Sequence, residues 1–276
     1  MTPFWLPPVA GFVVSFFTSM AGISGAVLLL PFQVSVLGLT SPAVSGTNLV
    51  FNIVAIPSGA YRYFREGRLI WPLTLLVVAG TTPGVILGGL VRIHWLPEPA
   101  RFKAFGGVVL FYIGARLLLD RKETNKPENG PWRARVLEFN WSRLAFEFQG
   151  RQYAARPAGI FLLSLAVGIV GGAYGIGGGA IMAPFLVAIF GLPVYTIAGA
   201  TLAGTFVTSV VGVVFYTIVG AKPDWLLGLL FGAGGMAGMY LGARTQRHVP
   251  ALWLKLILGL MLIGVAAGYL YEAICS

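Results

Sequence analysis

Ten apolar stretches follow one another along the chain: Phe4–Ala21, Ala26–Leu39, Ala43–Tyr61, Ile70–Val91, Ala104–Leu119, Ala158–Ala173, Ala180–Leu192, Ile197–Val219, Trp225–Ala243 and Leu252–Ile274. Most approach the roughly 20 residues that a bilayer-spanning helix needs. Ala26–Leu39 and Ala180–Leu192 do not, at 14 and 13 residues. They cover roughly 20 Å of helix against a hydrocarbon core of about 30 Å. Both follow a glycine cluster, and each holds a proline, Pro31 or Pro184. They read as half-helices or re-entrant segments. Backbone broken at membrane depth is tolerated only where protein buries it or a water-filled cavity solvates it. The first stretch has no basic n-region and no clear cleavage site, so it is expected to be a retained membrane segment rather than a signal peptide.

A polar stretch from Asp120 to Arg156 interrupts the series. Its first half is a turn-rich linker. Its second half alternates polar and apolar residues around Val136–Trp141 and Leu144–Phe148, which predicts a short β-hairpin. Three regions follow: a first transmembrane repeat at 1–119, a central cytoplasmic loop at 120–156 and a second transmembrane repeat at 157–276.

The two flanking regions are copies. A shift of 153 residues lays Gly22–Leu39 on Gly175–Leu192, and Gly22, Ile23, Gly25, Pro31, Phe32, Val34, Gly38 and Leu39 all recur. With one further residue of shift, Trp71 meets Trp225, Gly80 meets Gly234, Gly84 meets Gly238, Gly88 meets Gly242 and His94 meets His248. A glycine and proline pattern held at one spacing marks an internal duplication. Five segments per copy is an odd number and inverts the second copy. Basic loops favour the cytoplasmic side. The inverted arrangement puts 15 of the 19 Lys and Arg inside, against 13 for a parallel four-plus-four alternative. The fold class expected is therefore an all-α polytopic membrane protein of two inverted repeats, with 8–10 membrane segments, two of them short or broken.

Composition agrees. Apolar residues are 57% of the chain and charged residues 10%, where a soluble domain carries about 25% charged residues. The net charge of +10 follows from topology and contact with anionic lipid; nucleic acid is not an expected partner. Cys275 is the single cysteine, so no internal disulfide forms.

The broken segments are where chemistry is expected, because paired interruptions at matching positions of two halves point to a transporter's substrate site. The candidates are Gly22, Ser24 and Gly25 in the first copy and Gly175, Gly177, Gly178 and Gly179 in the second. Each cluster exposes backbone N–H groups at the start of a half-helix, which favours an anion. The competing reading is close helix packing. Thr47, Asn48 and Asn52, with the matching Thr201 and Thr205, place polar groups inside apolar helices; Asn48 and Asn52 share a face, as do Thr201 and Thr205. Gln33 is similar. These side chains either bond substrate oxygens or join helices. No Asp or Glu lies centrally in an apolar stretch, which argues against a carboxylate cation site and suits an anion passage. Arg116 and Arg244 lie near segment ends, where snorkelling is expected, and His94 and His248 could sense pH. Gly175-x-Gly177-x-x-Ala180 lacks the βαβ context of a dinucleotide fingerprint. No catalytic triad, metal-ligand cluster or cofactor motif is visible.

The runs Gly-Ile-Ser-Gly-Ala-x-x-x-x-Pro-Phe (22–32) with Ser-Gly-Thr-Asn-Leu (45–49), and Gly-Ile-Gly-Gly-Gly-Ala-x-x-Ala-Pro-Phe (175–185) with Ala-Gly-Ala-Thr-Leu (198–202), resemble the TauE/SafE family of sulfite exporter-like permeases, also called the toluene sulfonate uptake permease family. The likeness extends to the basic loop at 61–68 and the central polar loop. Ser24 and Ala26 stand where a fuller glycine run is usual. The resemblance implies a multi-pass inner-membrane transporter of sulfite or an organosulfonate such as sulfoacetate. A passive channel for a small anion or sulfur compound is the alternative. Partners expected are the anionic sulfur-containing substrate and the lipid bilayer, with a homodimer as the assembly to test.

Overall fold

A computed structural model describes residues 3–20, 23–39, 41–119, 133–245 and 251–275. Among them the first copy forms α1 (Leu6–Met20), α2 (Ala26–Ser35), α3 (Ala43–Arg65), α4 (Trp71–His94) and α5 (Pro99–Leu119). Strands β1 (Arg135–Phe139), β2 (Leu144–Phe148) and β3 (Arg151–Ala155) follow. The second copy forms α6 (Pro157–Tyr174), α7 (Met182–Phe190), α8 (Val194–Ile218), α9 (Trp225–Thr245) and α10 (Ala251–Cys275). Among the described residues seven helices are long and apolar enough to cross a membrane: α3, α4, α5, α6, α8, α9 and α10. The chain is a multi-pass membrane protein. The segments read as short are shorter still as helices, with 10 residues in α2 and 9 in α7, about 15 Å or less of rise.

Proline and glycine set the element ends. Trp71-Pro72 opens α4 and Pro157 opens α6, each after an extended residue, where a missing N–H costs nothing. Gly175 and Gly191, at φ 79° and 64°, close α6 and α7 in the left-handed region, as expected of a C-terminal glycine.

Contacts fix the direction of each helix. Down α3 and α8, Leu49 meets Gly212, Gly59 meets Leu202 and Tyr63 meets Gly199, so these helices are antiparallel. Down α5 and α10, Lys103 meets Glu272, Gly107 meets Leu270 and Gly114 meets Ile263, again antiparallel. These pairs are equivalent helices of the two copies. A parallel duplication would align them in the same direction; antiparallel pairing requires the copies to be inverted.

The glycines that carried the repeat signal form the seams. Gly80, Gly84 and Gly88 of α4 run alongside Gly168 and Gly172 of α6, so closely that a Cβ on Gly84 would lie 2.6 Å from Leu165 O and one on Gly172 2.5 Å from Val85 O. In the equivalent seam, Gly234, Gly238 and Gly242 of α9 press on the carbonyls of Pro8, Phe12 and Phe16 in α1. Small residues let membrane helices approach backbone to backbone. Both seams are parallel, and each joins a helix of one copy to a helix of the other.

The sheet is antiparallel, in the order β1-β2-β3. The expected hairpin is β1–β2, and a third strand extends it. Its turn is Gln149-Gly150, both at positive φ (51° and 75°), a two-residue connection whose twist matches the strands. Leu144, Phe146 and Phe148 of β2 are buried in the main core. Ala134 N–H donates to Gly67 O at 2.9 Å, which places the sheet at the same end of the bundle as the α3–α4 turn. That sheet end carries Arg62, Arg65, Arg68, Arg116 and Arg244; Arg92, Arg101, Lys103 and Lys222 lie at the far end.

Candidate functional site between the two helix breaks

The second break is a turn that only glycine can line. After Tyr174 the chain reverses through Gly175 and Gly177, at φ 79° and 81°. A Cβ on Gly175 would lie 2.6 Å from Ser45 Cα, and one on Gly178 2.5 Å from Thr81 Cβ. A Cβ on Gly177 would meet Ser209 Oγ at 2.9 Å, and one on Gly179 would meet Thr205 N at 2.7 Å. The turn therefore fills a slot between α3, α4 and α8. Gly178 N–H donates to Thr208 Oγ1 at 3.2 Å. The amide hydrogens of Gly177 and Gly179 have no acceptor among the described residues.

The first break, before α2, is built from Ser24 and Gly25. Ser24 Oγ accepts from Ala26 N–H at 3.2 Å, and a Cβ on Gly25 would meet Ser15 Oγ at 2.8 Å. Gly22 lies outside the described residues.

Both breaks converge on two carboxamides of α3. Asn48 Nδ2 donates to Ala26 O in the first break and to Gly175 O in the second, at 3.0 Å each. Asn52 Nδ2 donates to Ile176 O at 2.9 Å and to Ser209 Oγ at 3.1 Å, while its Oδ1 accepts from Ser24 Oγ at 2.5 Å. Gln33 Nε2 donates to Asn48 Oδ1 at 3.2 Å and to Leu29 O at 3.3 Å. All four of these side chains, Ser24, Gln33, Asn48 and Asn52, are fully buried. Helix breaks leave backbone carbonyls without partners, and in lipid such groups must be satisfied by protein. The carboxamides do this for Gly175 O and Ile176 O at the end of α6, and Asn48 also ties the first turn of α2 to that break through Ala26 O.

The equivalent threonines behave differently. Thr205 Oγ1 donates to Thr201 O at 2.8 Å, and Thr201 Oγ1 to Ala198 O at 3.1 Å, both within α8. Their backbones supply the wall against Gly179. Thr47 is not part of the cluster. Its hydroxyl donates to Ala43 O and accepts from Asp224 N–H at 2.8 Å, which ties α3 to the α8–α9 connection at the far end.

Neither Asn carboxamide has a donor left, because both N–H groups are spent on protein acceptors. Donors without an acceptor among the described residues include the amides of Gly177 and Gly179 and, beside the first break, the buried hydroxyl of Ser15. Sequence reasoning passed over Ser209 and Thr208. Ser209 continues the four-residue spacing of Thr201 and Thr205, a signal that was available; Thr208 lies off that spacing, and its place beside the glycine turn shows only in the bond it accepts from Gly178 N–H. No group of three or more His, Cys, Asp or Glu occurs among the described residues.

The sulfite exporter TauE/SafE family model matches residues 8–269. The chain is similar to a probable membrane transporter protein, YunE, of Bacillus subtilis (strain 168), at 26% identity over 97% of each chain. No solved structure matches. Duplicated inverted helices, broken twice where they meet, accompany a family match over nearly the full length, and the chain belongs to the TauE/SafE sulfite exporter family of membrane transporters.

Proposed function

We propose that the chain is a secondary transporter that moves a small sulfur-containing anion, sulfite or an organosulfonate such as sulfoacetate, across the inner cell membrane by alternating access. The observation that carries this reading is the meeting of both helix breaks on Asn48 and Asn52, beside glycine amides that have no acceptor among the described residues. A half-helix start attracts an anion without a charged side chain. The absence of central carboxylates removes the repulsion that would oppose entry. Asn48 and Asn52 fix the shape of the site, while Gly177 and Gly179 supply donors. Asn48, Asn52, Thr201 and Thr205 offer donors to the substrate only in a conformation that releases the bonds described above. The basic sheet end faces the cytoplasm, in keeping with the bias of Lys and Arg.

Flux into proteoliposomes tests the proposal. Sulfite and sulfonates are expected to cross and their neutral analogues to be excluded; equal rates for both sink the anion site. Counterflow separates a carrier from a passive channel, since only a carrier is accelerated by substrate on the opposite side.

A further inference from the structure

We propose that Arg92 is an anion-binding residue on the transport path, set at the far end just beyond the second helix break; this rests on the anion-transporter reading above. Among the described residues Arg92 is the largest fully buried side chain, with 0% exposure. A guanidinium near a helix end in a membrane ordinarily reaches for water, and this one does not. Nor is it paired with a carboxylate among the described residues. The three acids at that end are engaged elsewhere: Glu98 with Arg101 at 3.1 Å, Glu272 with Lys103 at 2.5 Å, and Asp224 with Leu227 N–H at 3.0 Å.

Its protein contacts leave donors over. Nη1 donates to Leu96 O, and the guanidinium carbon sits 3.9 Å from the Phe102 ring centroid. Nε and Nη2 have no hydrogen-bond partner among the described residues. A buried charge without a counter-charge is costly in a membrane and marks a functional position. Two adjacent N–H groups of a guanidinium match the oxygens of a sulfite or sulfonate in a forked contact.

The position connects to the site already described. α4 and α6 run parallel, and Gly88 is level with Gly172 and Ala173. Arg92, one turn or about 6 Å further on, lies just past the level of Gly175, from which the chain folds back so that Gly178 sits beside Thr81 and Gly168. Phe102, which covers the guanidinium, stacks on Tyr174 at 5.8 Å between centroids. The Tyr174 hydroxyl is itself buried with no hydrogen-bond partner among the described residues. Across α8, the Tyr216 hydroxyl donates to Gly172 O at 3.2 Å. The guanidinium thus lies one aromatic layer from the break. The 154-residue shift pairs Arg92 with Gln246, so the repeat supplies no second copy of it at the sheet end, where the buried Arg68 is paired with Glu66, and its effect should be sided.

The test uses the full chain in proteoliposomes of defined orientation, with sulfite as the probe. Arg92→Gln is expected to raise KM roughly ten- to a hundredfold for sulfite presented at the far-end face, with a smaller change from the sheet-end face. In detergent, sulfite should raise the unfolding temperature of the wild-type chain and lose that effect in the variant. Where Arg92→Gln fails to fold, Arg92→Lys decides, because it keeps the charge and loses the fork: a raised far-face KM supports the proposal and an unchanged one overturns it. If wild-type protein shows sulfite-dependent flux and stabilisation and the folded variant retains both, the role of Arg92 fails while the transporter reading stands. If the wild-type chain shows neither, the transporter reading fails and takes this proposal with it.

Discussion

Replacing Asn52 with Ala isolates the contribution of the carboxamides that hold the two breaks together. The substitution deletes three hydrogen bonds, to Ile176 O, to Ser209 Oγ and from Ser24 Oγ, at 2.9, 3.1 and 2.5 Å. Side-chain hydrogen bonds between membrane helices average about 0.6 kcal/mol and reach about 1.7 kcal/mol. Three of them contribute about 2–5 kcal/mol. The upper part of that range is expected here, because Ile176 O, at a helix break, has no neighbouring helical N–H to take over. Reversible unfolding in bicelles or mixed micelles measures the change, and sulfite flux is recorded on the same preparations. The expected outcome is a loss of about 2–5 kcal/mol together with loss of flux, since both broken segments lose their common anchor. A loss under about 0.5 kcal/mol would falsify the anchoring argument. If flux also disappeared in that case, Asn52 would be a substrate contact and nothing more.

Thr205→Ala supplies the contrast: its hydroxyl serves only Thr201 O of its own helix, so stability should stay within about 0.5 kcal/mol, and any loss of flux then reports on the site. Gly84→Ala places a Cβ 2.6 Å from Leu165 O and should cost about 1–3 kcal/mol by forcing α4 from α6. Gly264→Ala and Gly268→Ala meet nothing within 4 Å and are expected to be neutral or to stabilise by up to about 1 kcal/mol; a penalty equal to that of Gly84→Ala would show that the seam is not the reason. In a Cys275→Ser background, single cysteines at the exposed positions 65 and 222 should react with an impermeant thiol reagent from opposite faces, and labelling from the same face contradicts the inverted arrangement.

The inverted repeat was legible because its signal sits in residues whose role is geometric. Gly80, Gly84 and Gly88 recur as Gly234, Gly238 and Gly242 since each set must admit another backbone. Composition could not reveal which helices those glycines approach: the partner of α4 is α6, and that of α9 is α1, far apart in the chain. The two short segments were legible from length and proline, and their meeting followed from symmetry. The hydrogen bonds at the site were not. Asn48 and Asn52 look equivalent to Thr201 and Thr205 by spacing, yet the carboxamides reach across to the neighbouring break while the hydroxyls of Thr201 and Thr205 return to their own helix. In the sequence Arg92 is one more basic residue near a segment end, a position that conceals its burial because burial is a tertiary property. Strand β3 escaped because Arg151-Gln152-Tyr153-Ala154-Ala155 lacks the apolar alternation that marks β1 and β2.

The seams have a consequence for how the bundle can move. Each glycine seam locks a helix of one copy onto a helix of the other: α1 with α9, and α6 with α4. The two sequence repeats are therefore interlaced, like fingers of two hands, and cannot tilt against each other as separate bodies. In the alternating-access reading, the units that would shift are of mixed parentage, α1 with α9 and α3 on one side and α4 with α6 and α8 on the other, with the antiparallel contact of α3 and α8 between them and Asn48 and Asn52 spanning it.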